Sequence, residues 1–112
     1  MDKVTKYQTI ICQILEKYAG IKKTATPDVK THMIIDKENH HYQLVSIGWH
    51  RSKYIYTVAF HFIIKNEKVW IQQNNTDAMI ADELCEQGIP KTDIILGFIP
   101  ERGRALSGFA VE

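Results

Sequence analysis

Five histidines are the residues of this sequence with the widest range of chemistry: His32, His40, His41, His50 and His61. A catalytic zinc site would need three protein ligands that converge on one point. Neighbouring residues of a strand point to opposite faces of a sheet, so His40 and His41 do not readily share a metal. No two histidines are spaced four residues apart on a predicted helix. The pattern therefore favours structural or surface histidines and predicts no metal site.

Two further groups contain the residue types of an active site. Cys85 has the type of a nucleophile, but a nucleophile needs an adjacent base, and the position of Cys85 on a predicted helix favours the core. Asp36, Lys37 and Glu38 resemble the acidic pair and lysine of some nucleases, yet their pattern is that of a charged turn. An enzyme built around His61 and Asp36 is the remaining catalytic alternative. Nucleophile elbows, phosphate-binding loops and dinucleotide fingerprints have no match, so we predict no catalytic residue and no cofactor.

Aromatic side chains form a third group, for which the ligand would be single-stranded nucleic acid. Its members are Trp49, Tyr54, Tyr56, Phe60 and Trp70. Proteins that bind single strands stack bases on aromatic rings and place basic residues beside them. Arg and Lys do not alternate with the rings in this sequence. The pattern therefore favours the hydrophobic core of a sheet.

Length and charge restrict the class of protein further. The 112 residues fit one domain over 1–112, and 14 Lys and Arg against 13 Asp and Glu leave a net charge of +1. A domain that binds duplex DNA usually has a clear basic excess. The N-terminus lacks a signal-peptide pattern, and no segment reaches the roughly 18 apolar residues of a membrane span. We expect a cytoplasmic protein in which Cys12 and Cys85 are reduced core residues.

The element that opens the chain is predicted to be a helix. Its apolar side chains recur every three or four residues, at Val4, Tyr7, Ile11, Ile14 or Leu15, and Tyr18. Asp2 is the predicted N-cap, and Gly20 is the predicted stop. A loop over 21–28 follows, with a turn signal at 26–28.

Four strands are predicted next, at Val29–Asp36, Tyr42–Trp49, Tyr54–Lys65 and Lys68–Gln73. In the third strand every second residue from Tyr54 to Ile64 is apolar, which predicts one continuous buried face. Asn66-Glu67 is predicted to be a two-residue hairpin turn, because Asn tolerates positive φ. A largely antiparallel meander follows from these short connections.

The last third of the chain is predicted to contain a second helix and short strands. Thr76 is its predicted N-cap, and Gly88 ends it, with Ile89 packing back on Leu84. The predicted buried stripe is Ile80, Ala81, Leu84 and Cys85. Residues 91–93 are predicted to form a turn, 94–98 a buried strand or a tight extended segment, 100–108 a mobile polar loop and 109–111 a short edge strand. The predicted class is α+β: an N-terminal helix, a four-stranded meander, a second helix, and one or two short C-terminal strands.

Several separate motifs resemble those of the XisI family, the controlling factor for excision of the fdxN element. They are HYQLVSIGW (41–49), KVWIQ (68–72), GIPKTDIILGF (88–98) and GFAV (108–111). The resemblance extends from the first helix to the C-terminus. Two turns differ, since family members usually have Asp-Gly where this chain has Asn66-Glu67 and often where it has Asn74-Asn75.

The resemblance implies a role in programmed DNA rearrangement in nitrogen-fixing filamentous bacteria. There the family works beside a recombinase, through which it would associate with DNA indirectly, and beside an accessory protein, XisH, that looks like an endonuclease. The family supplies no catalytic residues that could be carried over to this chain. The resemblance therefore implies a controlling role and not a reaction.

Two hypotheses about the mechanism follow from the resemblance and the balanced charge. In the first, the protein acts through contacts with an XisH-like partner, at a surface that includes Arg102, Arg104, Phe109 and Val111. A homodimer is left open. In the second, it binds nucleic acid directly through a basic strip that comprises Lys22, Lys23, Arg51, Lys53, Arg102 and Arg104.

Overall fold

The computed structural model describes residues 2–25 and 27–112. Its elements in chain order are α1 (Lys3–Ala25), β1 (Val29–Asp36), β2 (His41–His50), β3 (Lys53–Lys65), β4 (Lys68–Asn74), α2 (Ile80–Gln87), a 3-10 turn (Lys91–Asp93), β5 (Ile94–Leu96) and α3 (Glu101–Arg104). The strands form one sheet in the order β1-β2-β3-β4-β5. The first four strands are antiparallel, and β5 runs parallel to β4. The predicted α+β class is confirmed.

Helix α1 lies across one face of the sheet and buries its apolar stripe there. Tyr7, Ile11 and Leu15 are almost inaccessible to solvent and belong to one core with the inward residues of the strands and of α2. The cap at Asp2 is confirmed, because its Oδ1 accepts a hydrogen bond of 2.8 Å from the backbone N–H of Thr5. We call the face of the sheet under α1 the inner face, and the opposite one the outer face.

The predicted stop at Gly20 is wrong, since α1 continues to Ala25. The packing of α1 on β1 to β3 outweighs the weak helix preference of one glycine. Residues 21–25, predicted as loop, are therefore helical, and 27–28 form a turn. Thr26, the first residue of the predicted turn signal, lies outside the described residues.

Replacing Gly20 by alanine is expected to stabilise the protein by about 0.5–1 kcal/mol, because Gly costs that much more than Ala inside a helix. A Cβ at this position would meet no atom within 4 Å. Gly88→Ala is the matched control, and it should destabilise the protein because φ there is 118°. Urea unfolding of both variants at low protein concentration measures the difference, and a destabilising Gly20→Ala would contradict the expectation.

Bulges change the face on which several strand residues lie. Leu44 pairs with Phe60, but the next residue, Val45, pairs with Val58, so Ala59 is an extra residue of β3. A shift of one residue moves every following side chain to the other face. Tyr54 and every second residue up to Val58 therefore lie on the outer face, whereas Phe60, Phe62 and Ile64 lie in the core. The predicted continuous buried face of β3 is wrong for this reason.

The start of α2 also differs from the prediction. The helix begins at Ile80, after Met79, which makes no side-chain capping bond. Thr76 does not cap the helix, because its hydroxyl donates to Asn74 Oδ1 at 2.6 Å and accepts from the Ala78 N–H at 3.1 Å. These local hydrogen bonds stabilise a non-helical turn, so α2 begins about one helical turn later than predicted.

The predicted end of α2 is confirmed. Gly88 has left-handed backbone geometry, and its N–H donates to the Cys85 carbonyl at 3.1 Å. The N–H of Ile89 donates to the Leu84 carbonyl at 3.0 Å, and both side chains are fully buried. This is the Schellman closure. None of the helices in the described part of the chain is long and apolar enough to cross a membrane.

Candidate protein-interaction surfaces

Three aromatic side chains stand exposed at one end of the outer face. Trp49, Tyr54 and Tyr56 have exposed fractions of 62%, 52% and 64%. Trp49 pairs with Tyr54 across the β2–β3 hairpin, and the two ring centroids are 5.1 Å apart. The prediction that these three residues belong to the core is wrong. The bulge in β3 turns Tyr54 and Tyr56 away from α1, and Trp49 of β2 lies opposite Tyr54 on the same outer face. We call them the aromatic patch.

The outer face next to the aromatic patch carries both apolar and polar side chains. Val45 is only 2% exposed, yet it lies outside the core cluster under α1. Strand pairing places Ile47 and Lys30 in one row with Tyr56. Ile34, two rows further, is 48% exposed.

The charge that the strands place on the outer face is basic on balance. By alternation from the register, its charged strand residues are Lys30, Lys65, Lys68 and Asp36. The acidic residues of α2, Asp82 and Glu83 among them, lie on the helix side of the molecule.

Four residues are predicted to contact a partner. Of these, Arg104 already uses its side chain for hydrogen bonds within its own chain. Its Nε donates to the Ile99 carbonyl at 3.0 Å, and its Nη1 donates to the Val111 carbonyl at 3.2 Å. Its guanidinium carbon lies 5.2 Å from the centre of the Trp70 ring. Arg102, by contrast, is exposed. Arg104 thus holds the C-terminal segment against the sheet.

Phe109 and Val111, the other two predicted residues, differ in exposure. Phe109 is half-buried and packs against the core, with the Lys91 ammonium 5.9 Å from its ring centre. Val111 is 44% exposed. The predicted edge strand at 109–111 is reduced to one bridge between Ala110 and Ile95.

An apolar groove of about 180 Å³ lies between the start of α2 and the C-terminal segment. Phe109 contributes to it together with Met79 and Phe98, whose exposed fractions are 71% and 55%. We call this the C-terminal groove. The sequence pattern does not single out Met79 and Phe98, because it predicts Met79 within a helix and Phe98 within a buried segment.

The basic residues proposed for nucleic acid do not lie together. Arg51 lies in the β2–β3 hairpin turn and Lys53 opens β3. Arg104 lies on Trp70, which pairs with Ile63, ten residues further along β3. A strand rises about 3.3 Å per residue, which separates the two groups by roughly 30 Å. Arg51 and Lys53 therefore do not form one continuous strip with Arg104.

A buried carboxylate, that of Asp93, joins α1 to the turn before β5. Asp93 is 7% exposed, accepts a hydrogen bond from the Tyr7 hydroxyl, and lies 3.1 Å from Lys3 Nζ. Burial alone would raise the pKa of Asp93, but the hydrogen bonds from Tyr7 and Lys3 together lower it. The same contact, with burial, raises the pKa of Tyr7. This cluster pins α1 to the turn before β5.

A second carboxylate joins α1 to α2. Glu83 Oε1 lies 2.6 Å from Lys17 Nζ, and Oε2 accepts a hydrogen bond from the Tyr18 hydroxyl. Burial and the bond to Glu83 raise the pKa of Tyr18 to about 12. Glu83 is therefore a structural residue. Local sequence patterns do not indicate either cluster, because the two residues of each hydrogen bond are more than 60 residues apart in the chain.

His61 and Asp36, the two residues of the catalytic alternative, make their hydrogen bonds with different partners. His61 is 3.1 Å from His41 Nδ1 and 3.2 Å from Gln43 Nε2, and burial lowers its pKa. Asp36 accepts its hydrogen bonds from Glu38 and Asn39 in its own turn. Among residues 2–25 and 27–112, no three His, Cys, Asp or Glu side chains form a group that could hold a metal.

The two cysteines are free thiols on α1 and α2. Both pack against the core, and burial raises the pKa of each thiol. A raised pKa leaves less thiolate at neutral pH, so neither Cys12 nor Cys85 has the character of an activated nucleophile.

Comparison with known proteins decides the family. The family model described as XisI protein matches residues 1–111. The chain belongs to the XisI family. The resemblance seen in the motifs is thereby confirmed.

Two solved structures from Anabaena variabilis extend this assignment of the XisI family to the fold. A XisI-like protein at 1.30 Å resolution is 37% identical, with a TM-score of 0.90 over 97% of this chain and 99% of that one. The fdxN element excision controlling factor XisI at 2.19 Å is 37% identical, with a TM-score of 0.84 over 99% of this chain and 100% of that one. No curated protein matches the chain.

Proposed function

We propose that this XisI-family protein is a non-catalytic controlling factor for excision of a DNA element. It acts through contacts with a nuclease-like partner of the XisH type, and associates with DNA through a recombinase. The proposal draws on the similar Anabaena protein, which is an fdxN element excision controlling factor. It also draws on the balanced charge of the chain.

The exposed aromatic patch is the observation that carries the proposal. Trp and Tyr dominate the binding energy of protein interfaces, where they fill pockets from which water is excluded. An exposed group of adjacent aromatic side chains of this kind is typical of an interaction site. Trp49 and Tyr54 already contact each other and lose little conformational freedom on docking.

The C-terminal groove is a second contact that the proposal assigns to the same partner. Phe98 and Met79 present apolar surface there, and the exposed Arg102 and Val111 lie in the same C-terminal segment. Arg104 and Phe109 act in this contact as supports, because Arg104 holds the backbone of the segment and Phe109 lines the groove.

Direct binding of nucleic acid is the second candidate function. The observation in its favour is the exposure of Trp49, Tyr54 and Tyr56 beside Arg51, since exposed rings can stack on unpaired bases. The separation of the basic residues, and the small net charge, favour the protein partner instead.

Co-expression with the XisH-type protein tests the proposal. With an affinity tag on the partner, the wild-type chain should copurify in a fixed ratio and remain bound at 0.5 M salt (a concentration of our choosing, at which weak ionic contacts are largely screened). An assay of the purified chain for DNA cleavage should give no product. Failure to copurify, or cleavage by the chain alone, would overturn the proposal.

A further inference from the structure

Strand β1 leaves one edge of the sheet open along its whole length. It has eight residues and no Pro or Gly. Within the described part of the chain, its backbone hydrogen bonds go to β2 alone. At the other edge of the sheet, β5 has three residues and the Ala110 N–H donates to its Ile94 carbonyl at 2.9 Å. Open edges pair readily with another strand, and proteins usually block them.

A groove of about 590 Å³ runs beside this edge, between β1 and the second half of α1. Gly20 lines it, and no atom lies within 4 Å of the position a Cβ would take there.

We propose that β1 pairs with β1 of a second copy of this chain, antiparallel and around a two-fold axis perpendicular to the sheet. The two sheets then form one sheet of ten strands. Residues directly opposite each other across such a pair lie on the same face, so the register must join residues whose numbers are both even or both odd.

Charge favours a register in which Lys30 and Asp36, the two charged residues of β1, lie opposite each other. When Met33 lies opposite Met33 of the second copy, Lys30 lies opposite Asp36 of that copy, and the reverse pair repeats on the other side of the axis. Lys30 and Asp36 both lie on the outer face by the pairing with β2. Asp36 stays ionised, because hydrogen bonds from Asn39 lower its pKa. A shift of two residues towards the N-terminus places His32 opposite itself and leaves both charges unpaired.

The affinity of the pair comes mainly from backbone hydrogen bonds between the two strands, while the two ion pairs fix the register. The outer faces of both copies become continuous in this arrangement. The two aromatic patches then lie on the same side of the assembly, so that one dimer presents two equivalent docking sites.

Sedimentation velocity over a range of concentrations tests the inference. The wild-type protein is expected to form a dimer. Lys30→Asp or Asp36→Lys alone places like charges opposite each other twice, and each should weaken the dimer at least about tenfold. An equimolar mixture of the two variants should dimerise again, since each new charge then meets its opposite.

Asp36→Lys also removes the bonds to Asn39, so a weaker dimer could come from a damaged fold. Recovery of the dimer in the mixture shows that the variants are folded and that only the ion pairs were lost. Amide hydrogen exchange gives the location: the β1 amides that point away from β2 should exchange more slowly as protein concentration rises. Monomer at every concentration would overturn the inference. So would single variants that dimerise normally, a mixture that fails to dimerise, protection that falls elsewhere than β1, or a strand of a different protein on this edge.

Discussion

Replacing Asp93 by alanine is expected to lower the free energy of unfolding by about 3 kcal/mol, the upper end of the range for a lost buried hydrogen-bond partner. The substitution leaves the Tyr7 hydroxyl, on a side chain that is 2% exposed, without its acceptor. It also removes the carboxylate that lies 3.1 Å from Lys3 Nζ. Urea unfolding monitored by circular dichroism measures the change.

Asp77→Ala is the matched control, since this carboxylate is exposed and outside both clusters. It should change the free energy of unfolding by less than about 0.5 kcal/mol. Tyr7→Phe removes the donor instead of the acceptor, and the double variant should be less destabilised than the sum of the two single ones. Additive single effects, or an Asp93→Ala variant as stable as wild type, would contradict the assigned contact.

The stability that Asp93 supplies should depend on pH in one direction only. Its folded pKa lies below the ordinary value of 3.8, so the unfolded chain takes up a proton first as the pH falls. The contribution is complete above that value and is lost as the pH drops through the folded pKa. The difference in unfolding free energy between wild type and Asp93→Ala should therefore be constant near neutrality and shrink below about pH 4. A difference that grows in acid would show the opposite shift.

Replacing both Trp49 and Tyr54 by serine is expected to weaken binding of the XisH-type partner by at least about 30-fold, which corresponds to the loss of one strong interface residue. Both rings are more than half exposed, so the fold should tolerate the change. Biolayer interferometry with the partner immobilised measures the affinity, and circular dichroism checks the fold.

Ile21→Ser is the control for this pair, because Ile21 is also apolar and 51% exposed but lies on α1, away from the outer face. It should bind like wild type. Phe98→Ser tests the C-terminal groove in the same assay. If the aromatic pair binds normally and only Phe98→Ser is impaired, the aromatic patch is not the main contact and the groove is.

Local patterns predicted those parts of the fold that depend on near neighbours. The cap at Asp2, the closure at Gly88 and the positive φ of Asn66 each need only a few adjacent residues. The predicted end of α1 is wrong because burial against the sheet outweighs the low helix propensity of Gly20. The predicted start of α2 is wrong because the Thr76 hydroxyl donates a hydrogen bond to Asn74 and does not cap the helix.

The candidate surfaces were harder to predict because they depend on strand register. Periodicity alone places Tyr54 and Phe60 on one face, and the extra residue Ala59 separates them. That residue has no distinctive side chain, so the pattern carries no sign of the bulge. Asp93 was likewise undetectable, because its partner Tyr7 lies 86 residues away in sequence.

Fluorescence anisotropy of labelled DNA tests most directly whether this XisI-family protein works through a protein partner. Duplex and single-stranded oligonucleotides are titrated with the purified chain at low and at physiological salt, with and without the XisH-type protein. We expect the chain alone to show no saturable binding at physiological salt and any association with DNA to require the partner. Tight, steeply salt-dependent binding by the chain alone, lost on replacing Trp49 and Tyr54, would contradict it.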